Sequence, residues 1–447
     1  MSRYIPLTPA EIKDMMRELG ISSLEELFSV VPEKAKFKEA LGLPKPKTEQ
    51  ELLKYFKSIA KQNTFFGKKI FLGAGSYNHY IPYVVDYLSL RSEFLTPYTP
   101  YQAEVSQGTL QATFEFQTYM AELTGLEVAN ASMYEGATAT AEAALMALRI
   151  NRRKKILLAK NLHPEYRSVV YTYLKNLEFE IQEVAYNNEG RLDLKDLQSK
   201  LDDQTSALII GYPNFFGIIE DGKSIFEVLS GTKTLLITAT WEPLSLVLIK
   251  PPGAFGAEIA VGEAQSFGIP LSYGGPYVGF MATLQRHTMK MPGRLVGITF
   301  DVEGKRGSVL TLSAREQHIR RERATSNICS NEAWCAIRVA IYLSTLGKKG
   351  LRKLAELNHK RSVYASKLLE KAGFKLKFQA PFFNEFVVEV GKEASEFRKK
   401  LLEKGFVAGY PLGKDYEELS DCLLLTFTEM NSKEDIEALV KAMEEIK

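Results

Sequence analysis

Three stretches of the chain carry side chains that could do chemistry, and one of them matters for what it lacks. Tyr98-Thr99-Pro100-Tyr101-Gln102-Ala103-Glu104-Val105-Ser106-Gln107-Gly108 crowds phenols, a carboxylate and amides into a segment broken by proline and glycine. Such groups orient a polar substrate or line the channel that admits one, and loops on a rigid scaffold commonly display them. A buried connection would spend the same phenols on backbone. Ala324-Thr325-Ser326-Asn327-Ile328-Cys329-Ser330-Asn331 offers hydroxyl and amide groups at Thr325, Ser326 and Asn327 that suit a phosphate or a helix cap. Spacing does not separate those two uses, and Cys329 beside them fits a small buried thiol. Ala264-Gln265-Ser266-Phe267-Gly268-Ile269-Pro270-Leu271-Ser272-Tyr273-Gly274-Gly275-Pro276 contains no lysine. An amine in such a turn could capture a carbonyl group; the Gln265 amide is neither basic nor nucleophilic and cannot.

The elements that position these stretches follow from the hydrophobic pattern. Short apolar runs at Lys155 to Ala159, Glu178 to Ala185, Ser206 to Gly211, Thr234 to Thr238 and Glu258 to Gly262 are separated by amphipathic helices, which predicts a mostly parallel sheet covered on both faces. Ligands in such sheets bind beyond the carboxyl ends of the strands. Glu135-Gly136-Ala137-Thr138, opening a helix through Arg149, reads equally as an anion cradle and as an ordinary helix start. Ser106 is expected to cap a helix that Gly125 ends. Thr8 and Thr48 each precede a glutamate at capping-box spacing, so residues 1–66 are expected to form a helical N-terminal arm. The dense loop Phe71 to Pro82 follows it. A large α/β domain is expected over 67–347, with its last helix from Glu332 to near Leu346. A small α+β domain over 348–447 is expected to run helix, strand, strand, helix, strand, strand, helix.

Composition narrows the function. Across 447 residues the hydrophobic share is 45% and the charged share 25%, as in an ordinary soluble globular protein of two or three domains. A net charge of +3 with no concentrated basic surface argues against nucleic acid. No window reaches the ~18 apolar residues of a membrane span, and no signal-peptide pattern is present. Three cysteines without CxxC spacing indicate neither a disulfide framework nor a metal site, so a reducing, cytoplasmic location is expected.

Several long motifs in fixed order carry a resemblance: Tyr98 to Gly108, Ala129 through Ala143, Pro213-Asn214-Phe215-Phe216-Gly217, Phe267 to Gly275, and Arg315 through Cys329. Together they resemble the amino-terminal half of glycine decarboxylase, the P-protein of the glycine cleavage system, which in many bacteria and archaea is a separate alpha subunit. The resemblance implies a fold-type-I, aminotransferase-like architecture paired with a homologous beta subunit in an α2β2 assembly. It implies decarboxylation of glycine on pyridoxal phosphate and transfer of the aminomethyl group to the lipoyl arm of the H-protein. The family's active turn reads His-Lys where this chain has Ala264 and Gln265, which assigns the cofactor to the beta subunit. Two further gaps agree. Thr234 to Lys250 holds no aspartate for a pyridinium, only Glu242, and beyond Tyr364 the only arginine is Arg398. The resemblance makes Tyr98, Tyr101, Glu104 and Gln107 candidates to face the partner's pocket or lipoyl channel, and Thr325, Ser326 and Asn327 candidates for the partner's cofactor phosphate. The arginines of Arg315 to Arg323 read equally as a dock for an acidic partner and as salt-paired structural side chains. The rival readings are a self-sufficient pyridoxal enzyme using Lys250 or Lys290, and a silent assembly scaffold.

Overall fold

A computed structural model describes residues 7–39, 41–65 and 67–447, in two units, Met1–Phe66 and Gly67–Lys447. The first contains α1 (Pro9–Leu19) and α2 (Glu49–Ala60), both opened by the capping boxes at Thr8 and Thr48, with Gly20 closing α1 in the left-handed region. Neither helix buries a residue. Their amphipathic pattern therefore has no core of its own to cover.

The second unit begins with β1 (Lys69–Phe71), α3 (Tyr83–Ser89), α4 (Ser92–Leu95) and α5 (Gln107–Thr124). Ser106 precedes α5 without a capping hydrogen bond, contrary to expectation, because its backbone (φ −123°, ψ 19°) lies outside the extended geometry of a cap. Next come β2 (Val128–Ala129), α6 (Gly136–Asn151), β3 (Lys155–Ala159), α7 (Pro164–Leu174), β4 (Glu180–Val184), α8 (Leu194–Lys200), β5 (Thr205–Gly211), α9 (Gly222–Leu229), β6 (Leu235–Thr240), β7 (Ile259–Glu263) and β8 (Gly279–Thr283). They build a seven-stranded sheet in the order β2-β8-β7-β6-β5-β3-β4. It is parallel from β7 to β4, and β8 runs antiparallel to both β7 and β2. Every residue of β3, β5, β6, β7 and β8 is buried, which is why β3, β5, β6 and β7 read as continuous apolar runs rather than alternating ones.

β9 (Leu295–Phe300) and β10 (Arg306–Thr311) form an antiparallel hairpin that leads to α10 (Gln317–Arg320). α11 (Ala333–Lys371) crosses the predicted domain boundary with a kink at Gly347 (φ 60°, ψ 175°), a conformation open to glycine. Beyond it lie β11 (Lys375–Leu376), β12 (Glu385–Glu389), α12 (Ala394–Glu403), β13 (Phe406–Ala408), β14 (Tyr410–Pro411), β15 (Cys422–Thr426) and α13 (Lys433–Ile446). The order differs from the predicted one by an extra short strand, β14, between β13 and β15. β13 leaves the antiparallel sheet β11-β12-β15-β14 and pairs in parallel with β1.

Candidate functional site

The turn after β7 lies beyond the carboxyl ends of the parallel strands, where α/β sheets bind ligands. Here the place is filled by protein. Gln265, buried, accepts the Tyr77 N–H at 2.9 Å and donates to the carbonyls of Tyr77 (3.1 Å) and Ile269 (2.7 Å). The predicted ordered loop Phe71 to Pro82 has therefore entered the pocket. Tyr77 is 0% exposed, and its hydroxyl donates to Glu385 Oε2 at 2.7 Å. His79 bridges two carboxylates, Nε2 to Glu242 at 2.9 Å and Nδ1 to Glu429 at 2.8 Å.

The helix start at α6 is also occupied. Glu135 turns its own carboxylate onto the free amides, accepting from Ala137 N (2.6 Å) and Thr138 N (3.0 Å), and Glu263 accepts from Gly136 N at 3.2 Å. The positive helix end thus carries an internal anion. A Cβ at residue 136 would lie 2.0 Å from the Tyr166 hydroxyl, so the helix approaches α7 too closely for any side chain there.

Charge in this pocket is settled internally. Burial pulls the His79 imidazole down, but Glu242 and Glu429 outweigh it and push it up to about 10. Burial would raise Glu429, yet His79 holds it at about 2. Burial pushes Glu263 up to about 8 and Glu385 up to about 7 against the donors that face them. Burial also lowers His163 to about 4, and this neutral ring stacks on Tyr166 and meets Trp241 edge-on.

Pyridoxal phosphate does not fit these residues. Its aldehyde needs an amine where Gln265 stands, its phosphate needs the amides that Glu135 has taken, and its ring nitrogen needs a carboxylate that His79 already holds. The side chains of Lys250 and Lys290 are exposed and make no hydrogen bond or ion pair with a described residue of this pocket.

The other two stretches meet each other elsewhere. The Thr99 hydroxyl contacts the Ser330 hydroxyl, and Arg294, 4% exposed, donates from Nη2 to the Tyr101 hydroxyl (2.8 Å) and to Cys329 Sγ (3.1 Å). Its guanidinium also lies 4.8 Å from the Tyr101 ring centroid, with Glu316 at 2.7 Å and the His318 ring 5.5 Å from that of Tyr101. Because Tyr101 accepts from Arg294, its own hydroxyl proton is left to donate outward. Tyr98, 80% exposed, and Glu104 stand at the surface. Gln107 is exposed, but its side-chain amide is engaged within the chain, with Ala103 O and with Ser308 N and O of β10, each at 2.8 Å. Thr325 N bonds to Arg315 O and Ser326 Oγ accepts Ile328 N, while Asn327 is exposed; none of the three caps α11, whose N-cap is Glu332. Arg315 is buried and donates to the carbonyls of Met291, Gly293 and Leu312, whereas Arg320, Arg321 and Arg323 are exposed.

Sequence reading missed Arg294, because a single arginine between Gly293 and Leu295 carries no pattern. It missed Glu385 and Glu429 because they reach Tyr77 and His79 from more than 300 residues away. Glu135 was readable as the start of a helix, but not as the occupant of its amides.

The arrangement of sheet, covering helices and C-terminal layer is that of fold-type-I pyridoxal-phosphate enzymes. It superposes on sphingosine-1-phosphate lyase of Burkholderia pseudomallei with a TM-score of 0.66 at 13% identity, over 93% of this chain and 94% of that one. A solved structure titled glycine decarboxylase (P-protein) of the glycine cleavage system, in inhibitor-bound form, is far nearer, with a TM-score of 0.90, 42% identity and full coverage of both chains. Residues 2–443 match the family model for the glycine cleavage system P-protein, and the chain belongs to that family. A protein of Geobacillus sp. (strain WCH70) named "Probable glycine dehydrogenase (decarboxylating) subunit 1" is 47% identical over 444 residues, 99% of each chain. One of Anoxybacillus flavithermus with the same name is 48% identical over the same length, again 99% of each chain.

Proposed function

We propose that this chain is the cofactor-free subunit of a glycine dehydrogenase (decarboxylating), completing the active site of a homologous, lysine-bearing beta subunit in an α2β2 assembly. The observation that carries the reading is Gln265, which stands at the turn after β7 where this reading puts the family's lysine, with both amide N–H groups and one lone pair of its oxygen bonded inside its own chain. Pyridoxal phosphate and its electron sink therefore belong to the partner. This chain supplies walls, orientation and exclusion of water.

Tyr101, held by Arg294 through its oxygen and its ring, presents a rigid phenolic donor. Tyr98 and Glu104 beside it give a polar lip for the partner's pocket or for the channel that admits a lipoyl arm. Thr325, Ser326 and Asn327, on the loop that runs to Cys329, are assigned to the partner's cofactor phosphate. Gln107 supports this surface by holding β10 rather than touching substrate. The exposed guanidinium groups of Arg320, Arg321 and Arg323 suit an acidic surface on the lipoylated H-protein. The three free cysteines fit a reducing cytoplasm.

The test is co-expression with a lysine-bearing beta chain, followed by glycine decarboxylation assays. The chain alone is expected to be inactive and the heteromer active. Tyr101→Phe and Thr325→Ala in the heteromer are expected to lower turnover and cofactor retention respectively. Unchanged kinetics and cofactor affinity in both would refute the interface assignment.

A further inference from the structure

We propose that the filled pocket acts as an anchor block: Gln265, His79 and Glu429 are positioning residues that fix α3 with the exposed Tyr80 and Tyr83 and, through α11, the loop that carries Tyr98 and Tyr101. This rests on the reading that the Tyr98–Tyr101 face meets the lysine-bearing partner. The lost cofactor site is then a working part of the assembly.

A continuous series of bonded groups leads from the pocket to that face. Gln265 grips both backbone groups of Tyr77, and two residues on His79 is clamped between Glu242 and Glu429. Glu429 also accepts the Tyr80 N–H at 2.7 Å and the Asn358 amide at 2.9 Å. From Tyr80 the chain emerges directly into α3, where Tyr83 is 79% exposed. The far end of α3 is tied back to the same turn: Arg338 donates to Gly268 O from Nε (3.1 Å) and Nη2 (2.9 Å), and its Nη1 reaches Asp86 (2.7 Å) and the Ser89 hydroxyl (3.1 Å). Gly268 lies three residues beyond Gln265, so one turn holds α3 at both ends. Trp334 Nε1 donates to Ser89 O at 2.8 Å, and α11, which carries Trp334, begins just after Ser330, the residue that meets Thr99.

The energetics favour an anchor over a relic. A buried ion triad costs desolvation and contributes specificity of position when it is kept. A short loop without it would keep only the weak preferences of an irregular segment and sample many conformations. Coupling through packed, hydrogen-bonded elements of this kind amounts to about 2- to 30-fold in an equilibrium constant.

The experiment uses the holo heteromer with Gln265→Met and His79→Gln in this chain, and with Glu429→Gln, which keeps shape and the acceptor for Tyr80, if the others fail to fold. Val170→Ala, in the buried face of α7 and outside this series, is a control for general destabilisation. At a temperature well below unfolding, the anchor variants are expected to weaken partner association by about 2- to 30-fold and to lower kcat. Val170→Ala, compared at equal loss of Tm, is expected to move neither. Wild-type association in the anchor variants, or equal weakening by Val170→Ala, overturns the proposal. Tyr101→Phe separates the two levels: if it impairs turnover while Gln265→Met does not, only the anchor fails; if Tyr101→Phe has no effect, the interface reading fails first.

Discussion

Gln265 and Tyr77 hold each other by two hydrogen bonds, 2.9 Å from the Tyr77 N–H to the side-chain oxygen and 3.1 Å from the side-chain nitrogen to the Tyr77 carbonyl. An amide makes this pair and an amine does not, because only the amide has an acceptor and a donor side by side. The side chain that cannot act as a nucleophile is thus the same one that ties the Tyr77 loop into the pocket.

Restoring a lysine is therefore expected to restore nothing. Gln265→Lys would place an ammonium where one backbone N–H loses its acceptor, at a cost of about 1–3 kcal/mol for the unsatisfied group and more for the buried charge. Its Tm should fall, and the isolated variant should show no visible absorbance with pyridoxal phosphate, since Tyr77 still fills the pocket and Glu135 still holds the amides at the start of α6. A cofactor band in that variant would contradict the account of the pocket.

His79 should make stability depend on pH in a defined sense. Its folded value of about 10 lies above the ordinary ~6.5, so its contribution is complete below ~6.5 and is lost as pH rises through about 10. Glu429 is depressed to about 2, so its share is present above the ordinary ~4.3 and is lost only as pH falls toward about 2. The Tm difference between wild type and His79→Gln should be greatest near about pH 6.5, corresponding to about 3–5 kcal/mol for breaking a buried pair, and should shrink toward pH 10. A difference independent of pH across that window would exclude a charged His79.

Glu135 gives a third prediction. Glu135→Ala removes the N-cap of α6, at a cost of about 0.5–2 kcal/mol, and frees amides at the positive end of a sixteen-residue helix. Millimolar inorganic phosphate should then raise the Tm of the variant and leave wild type unchanged. Equal response in both would mean that Glu135 does not hold the cradle.

The sheet was legible because β3, β5, β6 and β7 are buried on both faces, so four of the five predicted runs stand out as apolar at nearly the observed limits; the fifth, β4, is a half-exposed edge strand. Strands β2 and β8 were not, since two residues in one case and Gly-Phe-Met-Ala-Thr in the other lack a β-branched run. Gln265 was legible as an absence of chemistry. Its structural use was not, because that depends on Tyr77, 188 positions earlier, entering the pocket. Gln107 shows a use that the sequence did not reveal. Its place among tyrosines predicts a surface position, and it is exposed, but its amide also matches the two backbone groups of a strand residue, and Ser308 offers both.

The arginine knuckle supplies the last prediction. Arg320 and Arg321 have no acidic side chain within 4.0 Å among the described residues, and Arg323 meets only Glu322 at 3.8 Å with both side chains exposed. Intramolecular pairing at such exposure contributes little to stability, so Arg320→Glu with Arg321→Glu should leave Tm nearly unchanged. Rim charges act instead on encounter rates and on salt dependence. In the holo heteromer the double reversal should raise KM for the lipoylated carrier several-fold at low salt and leave KM for glycine alone. The difference from wild type should fade as added salt shortens the screening length to about 3 Å near 1 M. A carrier KM that ignores both the reversal and the salt would place docking on another face.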